Sequence, residues 1–134
     1  MRILVVEDDK DLNRQLCDVL KDQGYVVDTA FDGENGHFYG DTEPYDAVIL
    51  DIGLPVMDGI SVLERWRKDG RKMPVLMLTS RSSPFDRAHG ALSGSDIYLT
   101  KPITWDTISQ AVDKALMKSF RNDRAQMIAR GYRS

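Results

Sequence analysis

Cys17 is the only cysteine, so no internal disulfide can form, and its place among the apolar positions of a predicted helix makes it a reduced core residue. No apolar run approaches the roughly 20 residues of a membrane span. The first strand begins at Arg2, which leaves no room for a signal peptide, and the expectation is a cytoplasmic protein without membrane contact. Charge of one sign is not in excess: the formal net charge of -3 gives no global reason to bind nucleic acid. The two histidines, His37 and His89, have no second nitrogen or sulfur ligand at metal spacing, so surface or partly buried roles are expected. A phosphate-binding loop of the Gly-x-x-x-x-Gly-Lys type is missing, which removes support for nucleotide hydrolysis. Neither a repeat of about 20 to 50 residues nor a low-complexity tract is found.

What the sequence does contain is a set of short apolar runs that end on polar groups. Ala47 to Leu50 is too short for an ordinary helix, suits a buried strand, and stops on Asp51. Ile3 to Val6 runs into Glu7-Asp8-Asp9, Pro74 to Leu78 into Thr79-Ser80, and Ile97 to Leu99 into Thr100-Lys101-Pro102. Tyr25 to Ala30 supplies another strand. Between them lie helical patterns: Leu12, Leu16, Val19 and Leu20 form one stripe, Ile60, Val62, Leu63 and Trp66 a second, and Ile108, Val112, Ala115 and Leu116 a third, the last beginning near the N-cap candidate Thr104. Glu34 to Gly40 predicts a short, weak helix because glycines bracket it, and the segment from Ser82 to Ser95 predicts a helix interrupted by Pro84, Gly90 and Gly94.

Five strands alternating with five helical patterns predict an α/β fold: a flavodoxin-like, doubly wound parallel sheet of order 2-1-3-4-5 with helices on both faces. That order sets the ends of strands one and three side by side, with Glu7 and Asp8 flanking Asp51, and Thr79 and Lys101 arriving from neighbouring strands. Singly, an acidic residue after a strand is a helix cap or a solvated charge, and Asp9 and Asp58 are read that way. Jointly, four of five strand ends suit one reaction. Three carboxylates a few Å apart repel by roughly 4 kcal/mol per pair at an effective dielectric near 20, and their oxygen-only character suits Mg²⁺. Asp51 is then a nucleophile for a phosphoryl group, with Lys101 and the Thr79 hydroxyl available to its oxygens.

Val5-Val6-Glu7-Asp8-Asp9, Leu50-Asp51 through Leu54-Pro55-x-Met57-Asp58-Gly59, Leu78-Thr79-Ser80-Arg81 and Tyr98-Leu99-x-Lys101-Pro102 together resemble a response-regulator receiver domain over about residues 1 to 118. The resemblance implies transfer of a phosphoryl group to Asp51 from a sensor histidine kinase or phosphotransfer protein. It also implies Mg²⁺ bound by Glu7, Asp8, Asp51 and the Gly53 carbonyl, a cis Lys101-Pro102 bond, and a switch pair of Thr79 and Tyr98. Those two would couple the site to a partner-binding face of the fourth helix, fifth strand and fifth helix. Such a protein is a phosphoacceptor switch that assists its own phosphorylation and dephosphorylation, not a turnover enzyme. Two other readings stay open: a small Asp-nucleophile phosphotransferase or phosphatase, and an interaction module that is not phosphorylated.

Up to Arg81 the sequence is similar to receivers of winged-helix transcription factors, and it is expected to be the regulatory part of such a factor or a stand-alone switch; the last third is more similar to stand-alone receivers. Ser95-Asp96-Ile97-Tyr98 replaces Ala-Asp-Asp-Tyr, Ile103 replaces Phe, and the charged residues expected of a symmetric dimer are mostly missing around Gln110 and Ala111. A monomer or weak dimer is expected, with a possible downstream protein target. Arg81 stands two residues beyond Thr79, where its charge is read either as affecting water access to the pocket or as a solvated loop charge. Residues 1–120 are read as the receiver. Residues 121–134, with Arg121, Arg124, Arg130 and Arg133, are read as a basic extension or linker with no direct nucleic-acid binding expected.

Overall fold

A computed structural model describes residues 1–80 and 97–129, the stretch from 119 onward as backbone only. The predicted helix over 82–95, Arg81 and His89 lie outside the described residues. Five parallel strands, β1 (Arg2–Val6), β2 (Val26–Ala30), β3 (Ala47–Asp51), β4 (Val75–Thr79) and β5 (Ile97–Thr100), form one sheet of order β2-β1-β3-β4-β5, as expected. The helices are α1 (Lys10–Asp22), α2 (Gly33–Thr42), α3 (Gly59–Lys68) and α4 (Trp105–Ala129). No helix among the described residues is long and apolar enough to cross a membrane.

Because side chains alternate across a strand, the central strands feed two cores. On one face Ile3, Val5, Ala47, Ile49, Leu76 and Leu78 pack against the stripes of α1 and α4. On the other, Leu4, Val6, Val48, Leu50, Val75 and Met77 pack against Val62, Leu63 and Trp66 of α3. Caps set where the helices begin. The Asp9 side chain accepts from the Asp11 and Leu12 amides, Asp58 from Ser61, and Thr104 Oγ1 from the Thr107 amide. Tyr45, just before β3, is buried and donates its hydroxyl to Asp28 at 2.8 Å.

α2 shows why local propensity misleads. Its glycines are buried contact points: a Cβ on Gly36 would stand 2.6 Å from Val6 Cγ1, and one on Gly40 2.3 Å from Trp66 Cζ2. The helix lies close to the sheet and to α3 because these positions have no side chain. Trp66 Nε1 then donates to the His37 carbonyl at 3.1 Å, tying α3 to α2. α4 continues without a break through Arg121 to Ala129.

Gly40→Ala separates the two effects. Helix propensity alone favours alanine by about 1 kcal/mol, whereas overpacking against the fully buried Trp66 costs roughly 1–3 kcal/mol. A lower urea midpoint is expected; an unchanged or raised one would show that the contact with Trp66 is not tight.

Candidate functional site

The carboxyl edge of the sheet is built from strand ends whose registers align. Val6 pairs with Leu50, so β1 releases Glu7 and Asp8 next to Asp51, the last residue of β3. Asp51 pairs with Leu78, and Thr79 follows on β4 opposite Thr100, which places Lys101 just beyond β5. The Lys101 amide donates to the Thr79 carbonyl at 2.6 Å, and the Lys101-Pro102 peptide is cis.

The loop after Asp51 folds back on the strand end. The amides of Leu54 and Gly59 both donate to the Ile52 carbonyl, at 3.0 and 2.8 Å. A Cβ on Gly59 would stand 2.1 Å from the Asp51 carbonyl oxygen, so only glycine fits this return. Within the loop, Val56 takes a left-handed φ of 70°, a conformation costing a β-branched residue roughly 1–3 kcal/mol. The Gly33 amide of α2 braces this turn by donating to the Pro55 carbonyl at 3.1 Å.

One ligand oxygen from each of Glu7, Asp8 and Asp51 lies within 4.8 Å of the other two. Glu7 and Asp51 are buried and Asp8 is exposed, so the cluster opens to solvent on the Asp8 side. Lys101 Nζ approaches Glu7 Oε1 at 2.6 Å and Asp51 Oδ1 at 3.5 Å. Burial pushes the Glu7 carboxyl up to about 7; its hydrogen bond from Lys101 opposes this, and Asp51 adds to it. Burial also pulls the Lys101 ammonium down, but Glu7 and Asp51 outweigh it and leave the lysine above its ordinary value.

Gly53 sits beside the pocket: a Cβ there would be 3.9 Å from Asp51 Oδ2. Thr79 is buried at the end of β4. Tyr98 pairs with Met77 and packs, half-buried, against the core on the α3 face. Asp9 and Asp58 cap helices and take no part in the cluster. Asn13, which sequence reasoning passed over, is buried and donates from Nδ2 to the carbonyls of Glu7 at 3.0 Å and Ala30 at 3.3 Å, fixing the turn that presents Glu7. A polar residue inside the apolar stripe of α1 was the available signal. Beside the cluster, a groove of about 570 Å³ runs between the first turns of α1 and the segment from Lys101 to Trp105, with Leu12, Ile103 and Trp105 in its lining.

The donor set fits a hard divalent cation. All three side chains offer oxygen, and Glu7 Oε2 is buried with no hydrogen-bond partner among the described residues.

Residues 3–113 match the sequence profile of the response regulator receiver domain. The transcriptional regulatory protein DltR of Streptococcus agalactiae serotype III (strain NEM316) is 45% identical over 108 residues, which are 81% of this chain and 48% of DltR. The chain thus spans about half the length of the curated relatives it matches. The Francisella response regulator 1452 receiver domain shares the fold with a TM-score of 0.84 at 33% identity, covering 88% of this chain and 98% of that one. The receiver domain of sensor histidine kinase PA1611 from Pseudomonas aeruginosa PAO1, solved with a magnesium ion coordinated in its active-site cleft, gives a TM-score of 0.79 at 29% identity, with 86% and 96% coverage. In sequence over most of its length, and in the order and pairing of its strands, this chain belongs to the response-regulator receiver family.

Proposed function

We propose that Asp51 is the phosphoacceptor of this receiver. The observation that carries the reading is the meeting of Glu7, Asp8 and Asp51 within 4.8 Å, with Lys101 Nζ 3.5 Å from Asp51, from the ends of three different strands. An Asp51 oxygen attacks phosphorus, the bond from phosphorus to the donor's imidazole nitrogen breaks, and an acyl phosphate remains. Glu7, Asp8, Asp51 and the Gly53 carbonyl would hold Mg²⁺, which supplies charge neutralisation between the carboxylates and the phosphoryl oxygens. Lys101 turns from Glu7 and Asp51 toward a phosphoryl oxygen, and the Thr79 hydroxyl donates to another.

The donor is a phosphohistidine on a sensor histidine kinase or phosphotransfer protein, and it reaches Asp51 from the open Asp8 side. The neighbouring groove, with Ile103 and the half-exposed Trp105, gives that partner apolar surface next to the acceptor. Movement of Thr79 toward the phosphoryl group draws in the end of β4 and lets Tyr98 turn inward, altering the face around β5 and α4 that a downstream protein target reads. Residues 1–120 form the receiver and 121–134 a basic extension. The chain acts in the cytoplasm as a monomer or weak dimer, as the regulatory part of a longer transcription factor whose DNA contacts lie elsewhere. Turnover of an organic phosphate is the weaker reading, because Gly53 leaves no acid two residues beyond Asp51 to protonate a leaving group.

With Mg²⁺ and acetyl phosphate, the wild-type chain should gain the mass of one phosphoryl group and Asp51→Asn none. Lys101→Ala should slow the gain by roughly a hundredfold while leaving Mg²⁺ binding in place. Equal labelling of Asp51→Asn would sink the assignment.

Glu7 gives the metal-free protein a distinctive pH dependence. Its carboxyl is raised from 4.5 to about 7 in the folded state, so between those values the folded chain holds more protons than the unfolded one and this group's contribution falls as pH rises. The stability advantage of Glu7→Gln over wild type, read from urea midpoints in chelator, should therefore grow across that window and level off above it. Adding Mg²⁺ should shrink it. A difference that is flat with pH would contradict the burial argument.

A further inference from the structure

The acidic pocket is not the only place where ligand atoms converge. His37 and Asp41 lie at i and i+4 on α2 and so share one face. Asp69 is the C-cap residue of α3, and the bond from Trp66 to the His37 carbonyl holds the two helices in register. One ligand atom from each of His37, Asp41 and Asp69 lies within 4.8 Å of the other two, with His37 Nε2 4.0 Å from Asp69 Oδ2. His37 Nε2 is itself shielded from solvent and has no hydrogen-bond partner among the described residues. The carboxylates are far more open, with Asp41 39% and Asp69 50% exposed, so an ion has a route in.

We propose that His37, Asp41 and Asp69 bind a transition-metal ion of the zinc class, clamping α2 to α3. One imidazole nitrogen with two carboxylate oxygens suits such ions and is a poor set for Mg²⁺ or Ca²⁺, which favour oxygen alone. Ligands around a tetrahedral zinc at about 2 Å stand roughly 3.3 Å apart, so the present 4.0 Å separation closes with small side-chain rotations. A water completes the shell on the exposed Asp69 side. Arg71 is the competing cation: its Nε is 3.9 Å from Asp41 Oδ1, and its guanidinium donates to the Asp41 carbonyl. A metal would compete with Arg71 for the Asp41 carboxylate. Both helices run antiparallel to the strands, so their C-terminal ends lie at the amino edge of the sheet, opposite Asp51. The site is therefore independent of the acidic pocket.

The test is calorimetric titration of Zn²⁺ into the full chain with Mg²⁺ in excess to occupy the acidic pocket, and with Co²⁺ absorption in the visible as a second readout. One equivalent should bind to the wild type, to Asp8→Asn and to His89→Gln. His37→Gln and Asp69→Asn should each lose at least about tenfold in affinity and lose the Co²⁺ bands. The half-exposed Asp69→Asn provides the comparison if His37→Gln disturbs helix packing. Unchanged binding in Asp69→Asn would overturn the proposal. So would loss of binding in Asp8→Asn, which would place the zinc in the acidic pocket, or in His89→Gln.

Discussion

Everything at the functional end of this molecule depends on one electrostatic constraint: two buried carboxylates, Glu7 and Asp51, share the single ammonium of Lys101. Like charges at such a separation repel by roughly 4 kcal/mol at an effective dielectric near 20. One lysine cannot satisfy both, and it sits nearer to Glu7. Burial raises the Glu7 carboxyl, the Lys101 contact only partly offsets this, and Glu7 Oε2 has no hydrogen-bond partner among the described residues, so the pocket is under electrostatic load. A divalent cation would relieve the load, and in the proposed reaction a phosphoryl group on Asp51 would give Lys101 a new acceptor. The tension that disfavours the resting site would thus favour the proposed phosphoryl transfer.

Such a site persists only because the rest of the fold holds it in place. Glu7 follows β1 and Asp51 ends β3, strands whose apolar side chains are buried in two hydrophobic layers, so moving either carboxylate would mean disturbing its strand. Asn13 secures the turn after β1, and Gly59 with Gly33 secures the turn after β3. The left-handed Val56 lies between those two glycine braces, and the strain there is borne by the surrounding hydrogen bonds.

Much of this was legible because the punctuation is local. An apolar run that stops on Asp51 marks both a buried strand and its carboxyl end, and the same holds for Glu7, Thr79 and Lys101. Alternation of elements then leaves few sheet orders, and the order determines which ends meet. Cap residues were legible for the same reason: Asp9 and Asp58 serve amides only two or three residues away. What could not be read depends on contacts distant in sequence. The glycines of α2 looked like weakness because propensity does not know that Val6 and Trp66 press against Gly36 and Gly40. His37 looked isolated because a search for nitrogen and sulfur ligands overlooks a carboxylate on the next turn and another brought in by α3. The roles of Arg81 and His89 fall outside the described residues.

The most direct test of the account is chemical trapping of the acyl phosphate. Borohydride reduction of the chain after treatment with acetyl phosphate and Mg²⁺, followed by peptide mass mapping, should convert position 51 to homoserine and leave Glu7 and Asp8 intact. Homoserine at position 8, reduction of Glu7, or no reduction anywhere would contradict the claim that the converging strand ends serve Asp51.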